Sequence, residues 1–145
     1  MTTINTYLTF NGNCEEAFNF YQSVFGGEFA HVGKFKDMPE DPKFQISESE
    51  KENIMHISLP ISKETILMGS DTVGHSAANF NQGNNFSISI KTDSKIDADR
   101  LFNDLSQDGR ITMALNKTFW GSYFGMLTDK FGIQWMVSFD ESVTN

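Results

Sequence analysis

Three histidines, one cysteine and a scatter of carboxylates are the side chains here that could do chemistry. His56 and Ser58 stand two apart in an apolar run and fall on one face of a strand. His31 lies in a second run that reads as a candidate neighbouring strand. Joined by Asp71 or Glu64, the two histidines would form a constellation able to bind a metal or move protons. Histidines satisfied separately by solvent or backbone are the alternative. His75 sits in a stretch rich in Gly, Ser and Asn, where it is either exposed or near a cavity mouth. Cys14 falls in the first turn of an expected helix, a location that can activate a thiol. Glu15 and Glu16 oppose that, which favours a structural, buried cysteine. No Gly-x-Ser-x-Gly elbow, Walker loop or Gly-x-Gly-x-x-Gly after a strand occurs. No catalytic residue and no cofactor is assigned.

The elements that must position these groups are legible as patterns. Thr6 to Phe10 alternates as a strand. Asn13 is placed to cap a helix carrying Ala17, Phe18, Tyr21, Val24 and Phe25 on one stripe, and Gly26-Gly27 stops it. Glu28 to Phe35 reads as a strand. Lys36 to Asn53, acidic and broken by Pro39 and Pro42, reads as a long loop or flap with a strand segment near Phe44 to Ile46. Ile54 to Ile61 and Glu64 to Gly69 form a strand pair, and Asp71 to Asn84 is a connection. The order then repeats: a strand from Asn85 to Lys91 and a helix striped by Ala98, Leu101, Phe102 and Leu105. Strands follow at Ile111 to Phe119, Tyr123 to Leu127 and Ile133 to Phe139. The last two flank an Asp129-Lys130-Phe131-Gly132 turn that needs the φ freedom of Gly132. The expected organisation is a first βαβββ module at 1–72, a connecting loop at 73–84 and a second module at 85–145, integrated as one domain.

Composition sets outer bounds. The 145 residues carry a net charge of -8, with eleven basic residues scattered along the chain. That excludes the clustered cationic footprint of a nucleic-acid binder and disfavours an anionic membrane surface. Fourteen Phe among 39% hydrophobic residues provide for a packed core. One cysteine rules out an intrachain disulfide and suits a reducing compartment. The chain start lacks a signal-peptide pattern, and no apolar run approaches the ~20 residues of a membrane span. A cytoplasmic location is expected.

Two segments carry a family resemblance. One is Phe119-Trp120-Gly121-Ser122-Tyr123-Phe124-Gly125-Met126-Leu127-Thr128-Asp129-Lys130-Phe131-Gly132-Ile133-Gln134-Trp135-Met136. The other is the Tyr7 to Phe10 strand, the Gly12-Asn13-Cys14-Glu15-Glu16 helix start and Phe20-Tyr21-Gln22-Ser23-Val24-Phe25-Gly26. Together they resemble the vicinal oxygen chelate superfamily, within it the PhnB-like, glyoxalase/bleomycin-resistance-related group often labelled 3-demethylubiquinone-9 3-methyltransferase. The resemblance implies an α+β fold of two βαβββ modules in one chain, their curved mixed sheets enclosing a cavity, and a homodimer. Metal-using relatives place ligands on the first and last strand of each module. Counting from the landmarks puts Thr6, Met68, Phe86 and Met136 there, and shifts of one residue restore no His/Glu set. A metal-free site is therefore expected.

The same side chains admit an apolar ligand pocket: Leu8, Phe10, Met68, Phe86, Ile88, Trp120, Phe124 and Met136, with Thr6, Ser70 and Ser138 as its polar groups. A filled core is equally compatible. The leading expectation is a protein binding a small, partly apolar molecule. The alternative is a metal-dependent lyase or dioxygenase-like enzyme with a relocated site around His31, His56 or His75. A dimer whose interface is its purpose is the third reading.

Overall fold

The computed structural model describes residues 1–43 and 45–141. The chain divides into two compact units, Met1–Asn81 and the residues from Gln82 onward.

In the first unit, strand β1 (Thr6–Phe10) leads to helix α1 (Cys14–Phe25) and then to β2 (His31–Lys34), β3 (Ile54–Pro60) and β4 (Ile66–Asp71). The sheet order is β1-β4-β3-β2, with β1 parallel to β4 and the other pairs antiparallel. A short helix α2 (His75–Ala78) follows β4. The second unit runs β5 (Ile88–Lys91), α3 (Lys95–Leu105), β6 (Arg110–Lys117), β7 (Ser122–Thr128) and β8 (Gln134–Asp140). Its order, β5-β8-β7-β6, with β5 parallel to β8, repeats the first. Both units are βαβββ with open sheets, an α+β fold.

Each unit buries the stripe of its helix against one face of its sheet. In unit one, Ala17, Phe18, Tyr21 and Val24 meet Leu8, Phe10, Ile57, Leu59 and Leu67, and all are buried. The Phe18 ring lies edge-on to Phe10 and Tyr21. Gly69 sits beneath it, where a Cβ would come within 2.6 Å of the ring. In unit two, Ala98, Leu101, Phe102 and Leu105 face Leu127, Trp135 and Val137, with Gly125 beneath Phe102.

The caps differ from expectation in one case. Ser94 caps α3 through its hydroxyl, which accepts the Asp97 N–H. Asn13 precedes α1 but makes no side-chain cap. Asp71, arriving from β4, takes that role. Gly26, at φ 79, ends α1 by donating to the Gln22 carbonyl. The β7–β8 turn forms as expected: Gly132 has φ 87 and donates to the Asp129 carbonyl.

Several expected boundaries shift. β2 begins at His31 rather than Glu28, and the preceding segment carries Gly26 and Gly27 at positive φ. The 35–53 stretch contains two short 3₁₀ turns, Phe35–Asp37 and Glu48–Glu50. Gln45 and Ile46 are not strand, and Phe44 lies outside the described residues. β5 starts at Ile88, so Phe86 precedes it. No helix among the described residues is long and apolar enough to cross a membrane.

Candidate functional site

Strand alternation divides each sheet into a face against its helix and a face away from it. In unit one the register rows are Tyr7–Met68–Ser58–His31 and, one step on, Thr9–Ser70. These residues, with His56, occupy the face away from α1. In unit two the corresponding face carries Met126–Met136–Ser89 and Asn116–Phe124–Ser138, with Met113 opposite Met126.

The expected pocket residues fall on both sides of this division. Met68 and Ser70 are on the face away from α1, half-buried. Leu8 and Phe10 lie beneath α1 in the core, and Thr6 shares their parity. On β1 the outward position is therefore Tyr7, one residue from the counted Thr6. In unit two, Phe124, Met136 and Ser138 share the face away from α3. Trp120, in the β6–β7 turn, leans on Phe124 with ring centroids 6.0 Å apart. Ile88 pairs with buried Trp135 and belongs to the α3 side. Phe86 is exposed, and its carbonyl accepts from the Gln134 side chain. Met113, Asn116 and Met126 share the face away from α3 and lie outside the expected set. The alternation of Phe124 and Met126 with Gly125 and Leu127 carried the signal for Met126. Asn116 and Met113 depend on bulges in the β6–β7 register that the sequence does not announce.

A separate cleft of about 560 Å³ lies in the long loop of unit one, lined in part by Phe35, Met38, Pro39, Pro42, Ile46 and Lys51. Glu50 ties this loop to the segment before α2 by accepting the Gly74 N–H at 3.0 Å. That bond is the main cause holding the Glu50 carboxyl below its ordinary range.

The groups that could do chemistry are placed as follows. His31 and His56 meet, Nδ1 to Nδ1, at 3.2 Å. Asp71 does not join them. It is buried on the α1 side, with one oxygen accepting Gly12 and Cys14 N–H groups and the other accepting Ile54 N–H. Glu64 is exposed in the β3–β4 turn and His75 is exposed in α2. The Cys14 thiol is fully buried, and burial, then the Asp71 and Glu15 charges, push its pKa far up. That environment suits a structural thiol.

A family model described as 3-demethylubiquinone-9 3-methyltransferase matches residues 2–138. The chain belongs to that family. Protein YjdN of Escherichia coli K12 is 30% identical over 146 residues, covering 93% of each chain. The solved protein PA1353 of Pseudomonas aeruginosa is 41% identical, with a TM-score of 0.83 over 97% of this chain and 98% of that one. A PhnB protein of Bacillus cereus is 28% identical, with a TM-score of 0.72 over 95% and 99%. The fold is that of the glyoxalase/bleomycin resistance/dioxygenase superfamily.

In this PhnB-family chain, Tyr7 pairs with Met68 in unit one and Ser89 with Met136 in unit two, each pair on a first and a last strand and facing away from the helix. Within each unit, a thioether beside a phenol or a hydroxyl offers neither the carboxylate that hard divalent ions prefer nor the imidazole that suits Zn(II), Ni(II) or Cu(II). Among the described residues, no group of three or more His, Cys, Asp or Glu side chains is placed to hold a metal. Nor, among the described residues, does the architecture suit a dinucleotide-type site: each sheet holds one parallel pair, with no succession of parallel βαβ units.

Proposed function

We propose that this PhnB-like protein binds a small, partly apolar molecule on its sheet faces, without a metal at the first- and last-strand positions. The observation that carries the reading is the face of unit two away from α3. Phe124, Met126 and Met136 line it half-buried, Met113 and Trp120 are more exposed, and Asn116, Ser89 and Ser138 supply sparse polar groups. Thioethers beside aromatic rings adapt to irregular apolar ligands. Met68, Ser70 and Tyr7 offer a smaller set of the same kind in unit one. The enzyme reading has less support, because only two of the three histidines meet and Asp71 is turned away. Homodimeric assembly and a cytoplasmic location belong to the same proposal; the first rests on the family resemblance, the second on a single buried, unpaired thiol.

The two tryptophans make a direct test. Trp120 is 56% exposed and Trp135 is 2% exposed. Titration with 1-naphthol and a panel of small aromatic compounds should give saturable quenching together with a rise in Tm. Trp120→Phe should abolish the quenching, and Phe124→Ala or Met136→Ala should weaken binding roughly tenfold, the worth of about 1.4 kcal/mol. Absence of saturable binding across the panel, or binding indifferent to Phe124→Ala and Met136→Ala, would reject the proposal. Sedimentation across a dilution series tests the dimer.

A further inference from the structure

The first sheet brings together two side chains that the apolar ligand reading leaves unused. His31 on β2 pairs in register with Ser58, and His56 on β3 pairs with Gly33, so the two histidines are diagonal neighbours on one face. Their ring centroids are 5.3 Å apart and the ring planes cross at 47°. The closest approach is Nδ1 to Nδ1, at 3.2 Å. Neutral imidazoles hold that contact when one carries its proton on Nδ1 and the other presents a lone pair there. In that arrangement one Nδ1–H donates to the other Nδ1 lone pair.

The backbone is arranged to permit this. A Cβ at position 33 would lie 3.0 Å from Cε1 and 3.6 Å from Nε2 of His31, so a glycine there leaves the ring its place. Tyr7 flanks the other side, its ring 5.9 Å from that of His56. Ser58 is directly across from His31 and on the same face.

We propose that His31 and His56 form a two-nitrogen site for a borderline divalent transition-metal ion such as Zn(II), Ni(II) or Cu(II); the Nδ1 proton moves through solvent to Nε2 of its own ring, so both neutral imidazoles present an Nδ1 lone pair to the ion. Metal–imidazole bonds are ~2.0–2.1 Å. Two such bonds spanning the observed 3.2 Å meet at about 100°, between the square-planar and tetrahedral angles. Small rotations of the rings turn both lone pairs from each other toward one ion, and water completes its coordination. A donor set of nitrogens alone selects these ions over Mg(II) and Ca(II), which take oxygen. The site stands on β2 and β3, not on the first and last strands, and it is independent of the ligand reading above.

The test uses the tag-free full chain, stripped with EDTA and titrated with ZnCl₂ by calorimetry. The expected result is one ion per chain, with His31→Ala and His56→Ala each weakening binding at least about tenfold through loss of the chelate. His75→Ala should leave it unchanged. Gly33→Ala should weaken it while keeping both histidines, and MgCl₂ should give no binding heat. His56→Phe, which keeps a ring in place, serves if an alanine variant fails to fold. In ¹⁵N spectra of the imidazoles, His31 and His56 should shift and His75 should not. Equal affinity in the wild type and either single variant, or a response centred on His75, would overturn the proposal.

Discussion

Asp71 caps the helix that begins at Cys14: its Oδ1 accepts the Cys14 N–H at 3.0 Å, across 57 residues of chain. The same oxygen accepts Gly12 N–H at 2.9 Å, and Oδ2 accepts Ile54 N–H at 2.8 Å. One buried carboxylate thereby joins the start of α1, the start of β3 and the end of β4. Removing it strands three backbone donors. Asp71→Ala is expected to lower unfolding free energy by about 3 kcal/mol or more. Exposed Asp93→Ala should change it by roughly 0.5 kcal/mol at most. Urea denaturation followed by circular dichroism measures both.

A second expectation concerns alkaline pH. The Tyr123 hydroxyl donates to Asp99, and that bond, then desolvation and the Asp99 charge, push its pKa from the ordinary 10.0 to about 12. The folded state therefore holds the phenolic proton more tightly than the unfolded chain. The stabilisation is complete below pH 10 and disappears as pH rises from 10 towards 12. Thermal melts across that window should show a steeper loss in wild type than in Tyr123→Phe. Parallel curves would show that the hydroxyl contributes nothing.

Close packing beneath α1 supplies a third. An added Cβ at Gly69 would lie 2.6 Å from Phe18 Cε1 and 2.9 Å from the Leu8 carbonyl oxygen. The backbone atom cannot swing aside, so Gly69→Ala should cost about 1–3 kcal/mol. Phe18→Leu relieves only the ring half of the clash. In the double mutant the two costs should be less than additive, which a thermodynamic cycle reads directly.

Much of this fold is visible in the sequence because its signals are local. Gly132 needs a positive φ, and Asp129-Lys130-Phe131-Gly132 forms the turn expected between two apolar runs. The stripe of Ala17, Phe18, Tyr21 and Val24 is buried as its spacing implies. The duplication of order extends to identical strand topology in both units. What local signals miss is contact made across the chain. Asn13 has the chemistry of a cap, yet the cap comes from Asp71, which no window around residue 13 contains. The expected pocket residues Leu8 and Phe10 face α1 while Met68 and Ser70 face away, because a period of two fixes which residues share a face within one strand. It does not fix which face of the next strand joins them. Pairing Tyr7 with Met68 settles that, and pairing is long-range information. His31 and His56 lie 25 residues apart, and their meeting depends on the β2–β3 register and a bulge beyond Gly33.

The parallel pairing of β1 with β4 has a consequence for biosynthesis. Thr6 lies beside Leu67 and Phe10 beside Asp71, so the opening strand leaves the ribosome with its neighbour still untranslated. At ~5–20 residues per second the wait is roughly 3–12 seconds. Throughout it, the Phe18 ring lacks the Gly69 backbone against which it packs. Yield in a host cell should therefore respond to chaperone supply and to codon speed between β1 and β4, even where the finished protein is stable.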